Sequence, residues 1–318
     1  MALIPVPVGL KSADQVIADA FAALGCPKLG GVSGKGWSRD SVAMRCPYKY
    51  YLRYVRKMHV PLVAASSMAQ DAGSFVHAML AVHYARLLPP PFKGDDGQMY
   101  SYPGWAANTP TPEALFEAFQ VHGGEVEALG IAQRLWDGYL DKWGGSDWRP
   151  LAVEMQTGDP QVRTSRDDLV VLVEDDGIYD GLWIVDHKTA SSSADMEQWH
   201  LDGEIIGEMF TWGLDNLDEM FGGSLRGVCI NVLIKGSSRS VNWTPTYRRI
   251  WIPVNWALVK DFLKHLLYWN DQVKKYTQIG YWPKAHTACV DRFHQRCLYW
   301  DHCLTLSDSY LAPIRVEE

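Results

Sequence analysis

Two short apolar runs in the middle of the chain constrain its fold more than any other feature. The segments "DLVVLV" (168–173) and "LWIV" (182–185) are separated by a region that contains Asp176-Gly177 and Asp180-Gly181. Asp-Gly pairs between apolar runs are typical of a turn, so the pattern predicts a hairpin of two buried strands. The second strand ends in "DHKT" (186–189), and these polar groups need an explanation because burying them without partners is costly.

Further strand and helix patterns surround this hairpin. Strand-like runs occupy 151–157, 226–236 and 247–254, and helical patterns occupy 12–24, 38–45, 68–88, 112–143, 198–221 and 255–280. A stretch rich in Pro and Gly, from 89 to about 111, predicts a long loop or insertion. Strands with helices on both sides in the sequence predict an α/β fold with a central mixed β-sheet flanked by helices.

The composition excludes several classes of protein. With 318 residues, 47% of them hydrophobic, the chain can bury a sizeable core and is not a disordered protein. The net charge of −7 argues against a protein that coats nucleic acid through overall positive charge, but it leaves a local basic groove open. No stretch reaches the roughly 18 apolar residues of a membrane span, and "MALIPVPVGLKSADQ" does not resemble a secretory signal. We therefore expect a cytoplasmic protein without a membrane partner.

A basic segment lies near the start of the chain. Ser38 is expected to cap a helix that runs through Arg45, and Pro47 suits the first turn of a second helix. On this second helix Lys49, Arg53 and Arg56 recur at helical spacing, with tyrosines between them. The pattern fits either a solvated helix face or a surface that binds DNA.

Alternation along the second hairpin strand places Asp186 and Lys188 on one face, about 6.6 Å apart along the strand. A simple ion pair at a strand end would explain these two residues alone. However, the hairpin can also bring Asp168 near Asp186, and two converging carboxylates form an oxygen-rich site suited to Mg²⁺ or Mn²⁺. With a lysine to orient water and stabilise phosphate charge, such a site has the parts for hydrolysis of a phosphodiester.

The stretch "SRDDLVVLVEDDGIYDGLWIVDHKT" (165–189) resembles the core of the PD-(D/E)xK nuclease superfamily, RecB-like branch. Ser165 replaces the glycine of the family pattern, and Asp167 replaces an apolar residue. The matching positions are Arg166, Asp168, Asp186, Lys188 and Thr189. The resemblance implies that Asp168 and Asp186 are catalytic and bind Mg²⁺ or Mn²⁺, and that Lys188 positions the attacking water.

Three further segments follow the order of that family. "GSFVHAML" resembles its glycine–histidine helix motif, which implies that His77 is a metal ligand, whereas a histidine on an apolar helix by itself indicates a hydrogen-bonded core residue. Glu154, in "VEMQ", stands where many relatives carry a catalytic glutamate. The Gln-x-x-x-Tyr motif is not cleanly present, because Glu208 and Trp212 occupy that register and Gln198 lies ten residues earlier.

The cysteines suggest a second cofactor. "CPYKYYLRYV" and "CVDRFHQRCLYWDHC" resemble the two halves of an iron–sulfur staple found in CRISPR-associated and AddB-type exonucleases, which implies a [4Fe–4S] cluster on Cys46, Cys289, Cys297 and Cys303. Five residues separate the last two cysteines, as in that family, but seven separate Cys289 from Cys297, where the commonest version has two. Two alternatives stay open: unligated cysteines, or a Zn²⁺ site that draws on His286, His294 or His302.

Together these patterns predict four regions: an N-terminal extension (1–37), a helical region with the basic helix and insertion loop (38–150), the nuclease core (151–280) and a C-terminal cysteine segment that packs back near residue 46 (281–318). We expect a metal-dependent DNA nuclease, an exonuclease on single-stranded or end-frayed DNA, in recombination, repair or phage DNA processing. Because no helicase motif is present, unwinding would need a helicase or recombination partner. The rival interpretations are an inactive DNA-binding or scaffold module with the same fold, and an iron–sulfur redox protein.

Overall fold

A five-stranded sheet forms the centre of the molecule in the computed structural model, which describes residues 11–26, 36–60, 68–94, 97–144, 148–159, 162–174, 177–190, 196–235, 243–290 and 296–313. Its strands are β4 (Trp148–Asp159), β5 (Arg163–Val173), β6 (Gly181–Ala190), β7 (Leu225–Ile234) and β8 (Thr246–Pro253), in the spatial order β4-β5-β6-β7-β8. Only the β6–β7 pair among these neighbours is parallel. The predicted mixed sheet and its central hairpin are confirmed.

Helices cover both faces of this sheet. Their bounds are α1 (Ala13–Ala23), α2 (Trp37–Arg45), α3 (Pro47–Tyr50), α4 (Met68–Leu87), α5 (Pro112–Val121), α6 (Val126–Trp143), α7 (Gly203–Leu214), α8 (Leu217–Phe221), α9 (Trp256–Ile279) and α10 (Trp300–Thr305). Short strands β1 (Met58–His59) and β9 (Ala312–Pro313) pair with each other, as do β2 (Phe92–Lys93) and β3 (Met99–Tyr100). The fold is therefore α/β, as predicted.

Two hydrophobic cores lie on opposite faces of the sheet. One joins Val171, Trp183 and Val185 to buried residues of α1, α4, α5 and α6. The other joins Val170 and Ile184 to α7 and α9. Because neighbouring residues of a strand point to opposite faces, alternate positions of β5 and β6 supply the two cores. Strand β6 is thus covered on both sides, which explains its uninterrupted apolar run.

Local signals set the ends of most helices. Ser12, Thr111, Asp202 and Asn255 each cap a helix by accepting a hydrogen bond from a backbone N–H of its first turn. The predicted helical segment 112–143 is divided into α5 and α6, because the chain turns at Gly123, whose φ of 91° is readily adopted only by glycine. The long predicted helix that ends at Gly280 is confirmed as α9.

The start of α2 differs from the prediction. Gly36, not Ser38, is the N-cap, and its carbonyl accepts hydrogen bonds from the N–H groups of Arg39 and Asp40. Ser38 already lies inside the first turn, so its side chain is not in the capping position. The predicted helix at Pro47 is present, but after α3 it continues as a π-helical turn, Tyr51–Val55. A π-turn changes the angular spacing of Lys49, Arg53 and Arg56 from that of a regular α-helix.

The C-terminal segment contacts the basic segment. The Tyr48 N–H donates to the Pro283 carbonyl, and the Tyr299 hydroxyl donates to the Met58 carbonyl. Leu52 is completely buried against Tyr299 in a small separate core. Within the described part of the chain, no helix has the length and apolar character that crossing a bilayer requires.

Candidate active site

Asp168 lies where strands β5 and β6 separate. Leu169 and Val185 are the last paired residues on this side of the hairpin, and one residue further the Asp168 Oδ2 accepts the His187 backbone N–H at 2.8 Å. The carboxylate thus takes the place of a backbone acceptor in the ladder. This contact holds Asp168 beside the polar end of β6, as the hairpin predicted.

Asp186 and Lys188 form an ion pair at this point. They share a face of β6, and the Lys188 Nζ lies 2.9 Å from the Asp186 Oδ2. The same ammonium group also contacts the Glu204 Oε2 at 3.2 Å, in the first turn of α7. Two carboxylates from different elements therefore hold one lysine in place.

Helix α4 brings His77 to the site. The His77 Nδ1 lies 3.7 Å from the Asp168 Oδ2. One turn earlier, a Cβ on Gly73 would lie only 2.8 Å from the Thr189 Oγ1, so a larger residue there would require a shift of that side chain or of the helix. Gly73 thus allows the close approach of α4 to β6.

The electrostatics of the site follow from its burial. Burial raises the pKa of Asp168 to about 6 and that of Asp186 to about 7, while the nearby Lys188 opposes both shifts. Burial also disfavours the charged form of Lys188, but Asp186 and Glu204 outweigh it and raise the lysine pKa well above its usual value. Burial and then Lys188 lower the pKa of His77 to about 4, so its imidazole is neutral at pH 7 and able to bind a cation.

Two further buried acids were not predicted as site residues. Glu208 is 5% exposed and lies one turn after Glu204, and burial followed by Asp186 raises its pKa well above the usual value. Asp167 is also buried, and burial followed by Asp168 raises its pKa in the same way. In sequence only the register of Glu208 in the expected helix motif pointed to it.

Trp212, which occupies the second position of the helix motif that begins at Glu208, has a different environment. Trp212 lies in the core between the sheet and α9, and its indole N–H donates to Asp218. Gln198 belongs to a 3₁₀ turn, Met196–Leu201, that precedes α7.

Glu154 lies on β4 at a break in the pairing with β5, and its φ of 51° is unusual for a residue with a side chain. Its carbonyl accepts a hydrogen bond from the Arg166 Nη1 at 2.9 Å. Because this hydrogen bond links β5 to β4, Arg166 has a structural role. A catalytic role for Glu154 stays a prediction.

The three basic residues of the predicted DNA surface lie on the helical segment 47–55 and just after it. Arg53 and Arg56 are exposed, and Lys49 is half-buried. The Arg56 guanidinium forms two hydrogen bonds with the Asp308 carboxylate, at 2.9 and 3.2 Å, which link this segment to the C-terminal segment. Their role in DNA binding stays a prediction.

The cysteines of the predicted cluster are four free thiols. Burial, with smaller contributions from Cys297, Cys289 and Cys46, raises the pKa of Cys303 to about 11, and Lys284 opposes this shift. The Cys297 N–H also donates to the Cys289 carbonyl. Cys229, which was left out of the cluster, is buried in β7.

The histidines bear on the zinc alternative. His302 is buried, and its two ring nitrogens contact the Tyr48 hydroxyl and the Ser307 carbonyl, so neither points to a thiol. His286 is exposed, and His294 lies outside the described residues. Across the ranges given above, no three His, Cys, Asp or Glu side chains form a group that could hold a metal ion as they stand. At the acidic site, protein groups contact both carboxylates: Lys188 contacts Asp186, and the His187 N–H donates to Asp168.

Comparison with known families gives one match. Residues 38–204 match the model of the PD-(D/E)XK nuclease superfamily, which is more than half of the chain. The match includes α4, the β4–β6 strands and Glu204, but not Glu208. A comparison with curated proteins gave no match.

Proposed function

This chain belongs to the PD-(D/E)XK nuclease superfamily, and from that membership we propose that it is a metal-dependent nuclease that hydrolyses phosphodiester bonds of DNA. The observation that carries the proposal is the convergence of Asp168, Asp186 and Lys188 at one end of the β5–β6 hairpin. A lone ion pair would not need a second, half-buried carboxylate beside it.

The donor set fits a divalent cation. Asp168 and Asp186 are acidic groups whose charged forms burial disfavours, and Asp168 raises the pKa of Asp186 further. A dication between them would offset both effects, and the neutral His77 imidazole would add a nitrogen ligand. Carboxylate oxygens are the preferred ligands of Mg²⁺ and also suit Mn²⁺. When bound, such a cation supplies polarisation of the phosphoryl oxygen and a lowered pKa for the attacking water.

The side chains around this site have separate roles in the proposal. Lys188 stays protonated at neutral pH, so it can orient water and stabilise negative charge on the phosphate. Glu204 holds the Lys188 ammonium from the side of α7. The His187 N–H fixes the direction of the Asp168 carboxylate. Each of these contacts sets geometry before substrate arrives, which is what electrostatic catalysis requires.

The finer features of the activity are also proposals. We propose an exonuclease that acts on single-stranded or end-frayed DNA in recombination, repair or phage DNA processing, with a helicase or recombination protein to unwind duplexes. Lys49, Arg53 and Arg56 would meet the phosphate backbone. An inactive DNA-binding module is the alternative, and it predicts binding without degradation.

A time course on end-labelled and on closed circular single-stranded DNA, with Mn²⁺, Mg²⁺ or chelator, tests the proposal. Wild type should degrade linear DNA only when Mn²⁺ or Mg²⁺ is present. Lys188→Ala should lower the rate by about 100-fold or more, because the attacking water and the phosphate lose the lysine ammonium. Lys264→Ala, which changes an exposed lysine on α9, is the matched control. Full activity of Lys188→Ala would remove the site assignment, and cleavage of circles would show an endonuclease.

We further propose that Cys46, Cys289, Cys297 and Cys303 hold a [4Fe–4S] cluster. The backbone hydrogen bond between Cys297 and Cys289 and the engagement of both His302 nitrogens support thiolate ligands over a cysteine–histidine zinc site. Protein purified without oxygen should contain iron and show visible absorbance that Cys303→Ala loses and Cys26→Ala retains. Zinc without iron, or an unchanged Cys303→Ala spectrum, would refute this assignment. Reversible redox change without DNA binding would instead favour a redox protein.

A further inference from the structure

A cavity of about 340 Å³ lies between the helical segment 47–55 and the segment that follows α9. Its lining includes Tyr48, Tyr51, Tyr281, Trp282, Lys284 and His286. This volume is within the range of sites for small ligands. Four of these side chains are large aromatic rings, so the cavity offers flat ring surfaces beside the polar groups of Lys284 and His286.

The inner wall of this cavity is a fixed aromatic stack. The buried Trp282 ring stacks on Tyr50 and Tyr51, with ring centroids 5.9 and 5.4 Å apart. The Lys284 ammonium lies 5.0 Å from the Tyr48 centroid and donates to the Cys303 carbonyl, so it is held at the cavity. Tyr281, in contrast, is 65% exposed. An exposed ring beside a fixed aromatic wall can close over a flat ligand.

The two chain segments that line the cavity are rich in basic residues. Residues 45–57 contain five Lys and Arg residues and no acid, and residues 280–290 contain Lys284 and no acid, although the whole chain has a net charge of −7. Of these basic residues, Arg56 pairs with the Asp308 carboxylate. A negatively charged ligand with a flat ring is therefore the complementary occupant.

We propose that this cavity, named here the aromatic cavity, binds one unpaired base of a DNA single strand, with the neighbouring phosphates on the basic segment. This inference rests on the proposed function, because it takes DNA as the substrate. Aromatic rings in a positively charged groove are the usual means of holding single-stranded nucleic acid without sequence preference. A base in a duplex is already stacked and paired, so the cavity would select strands with free bases.

Fluorescence anisotropy with a labelled oligothymidylate, in chelator to prevent cleavage, tests the aromatic cavity on the full chain. Tyr281→Ala should weaken binding about fivefold or more, Tyr281→Phe should retain it, and Tyr268→Ala should leave it unchanged. Tyr268, 58% exposed on α9, is a matched control away from the cavity lining. Wild type should bind a probe with abasic sites more weakly than it binds the intact probe. Tyr281→Ala should bind the two probes about equally weakly.

The outcomes separate this inference from the proposed nuclease function. If Tyr281→Ala binds the intact probe like wild type, or if it weakens binding of duplex and single strand equally, the aromatic cavity holds no base. Cleavage of DNA by wild type would then still stand. If wild type binds the probe with the predicted Tyr281 dependence but degrades no DNA with Mn²⁺, the cavity is upheld and the nuclease proposal fails.

Discussion

The two faces of strand β6 carry polar residues of opposite character. Asp186 and Lys188 point towards α7 and form a charged group with Glu204. His187, between them, points to the other face, where Asn231 of β7 contacts its Nδ1 at 2.9 Å. Burial lowers the pKa of His187 well below its usual value, so this second group is neutral. One strand therefore presents a charged layer and a neutral layer to its two cores.

The neutral layer continues away from the site. The Asn231 side-chain amide also donates to the Tyr139 hydroxyl at 3.3 Å, and Tyr139 contacts the Tyr84 hydroxyl. The Tyr84 ring stacks on the His187 imidazole. His187, Asn231, Tyr139 and Tyr84 are themselves neutral, although the Arg249 guanidinium also hydrogen-bonds to Tyr139. This network can therefore stabilise the fold without a bound ligand. The charged layer, in contrast, raises the pKa of its own carboxyl groups, which is typical of functional sites.

The largest expected effect on stability comes from breaking the neutral layer. Asn231→Leu removes the partner of the His187 ring and leaves a buried nitrogen without its hydrogen bond. We expect the free energy of unfolding to fall by about 1–3 kcal/mol, measured by urea denaturation. Asn270→Leu, a partly exposed change on α9, should shift it by less than about 0.5 kcal/mol. Equal values for the two variants would show that the neutral layer does not stabilise the fold.

The charged layer, in contrast, should make the stability of the protein depend on pH. Asp168 and Asp186 bind protons more tightly in the folded chain than in the unfolded chain, whose carboxyl pKa is near 3.8. Without metal, these two carboxyl groups should therefore contribute a loss of stability as pH rises from about 4 to 7, whereas the lowered pKa values of His77 and His187 contribute a gain over the same range. Asp186→Asn should remove its part of the loss, so that the variant is stabilised relative to wild type at pH 8 by about 1 kcal/mol or more. Mg²⁺ should restore stability to wild type at pH 8.

Asp180→Asn provides the control for that profile, because Asp180 is exposed in the turn between β5 and β6. Urea denaturation at pH 5 and pH 8, with and without chelator, measures both variants. If Asp186→Asn gains no stability relative to wild type between pH 5 and pH 8, the assignment of a raised Asp186 pKa is wrong.

The smallest effect is expected at Glu208. Burial raises its pKa well above the usual value, which favours the protonated, neutral form of the side chain. An amide is similar in shape and charge, and Glu208→Gln should therefore change stability at pH 7 by less than about 0.5 kcal/mol. Thermal denaturation at pH 7 measures this. A loss above about 1 kcal/mol would show that Glu208 is charged and belongs with the charged layer.

The alternation of β6 made half of this site predictable. A period of two places Asp186 and Lys188 on one face and His187 on the other, whatever the rest of the fold. The turn residues between 174 and 181 predicted the hairpin that returns Asp168 to the same end. The division of 112–143 into two helices was missed although Gly123 and Gly124 interrupt the helical pattern at that point.

Contacts between distant segments were not predictable in the same way. The buried ion pair of Arg163 with Asp40 joins the first residue of β5 to α2 at 2.9 Å, and nothing in either local sequence indicates the other. The same holds for Glu204 on Lys188 and for Asn231 on His187. These partners meet only because α2, α7 and β7 pack around the hairpin.

The sequence by itself determined the strands, the helices and the order of polar residues along β6, because hydrophobic period and turn residues act over a few positions. The tertiary structure decided which charges meet, how deeply they are buried and hence which of their pKa values shift. Burial and pairing depend on packing between elements far apart in the chain, and no local pattern encodes those distances.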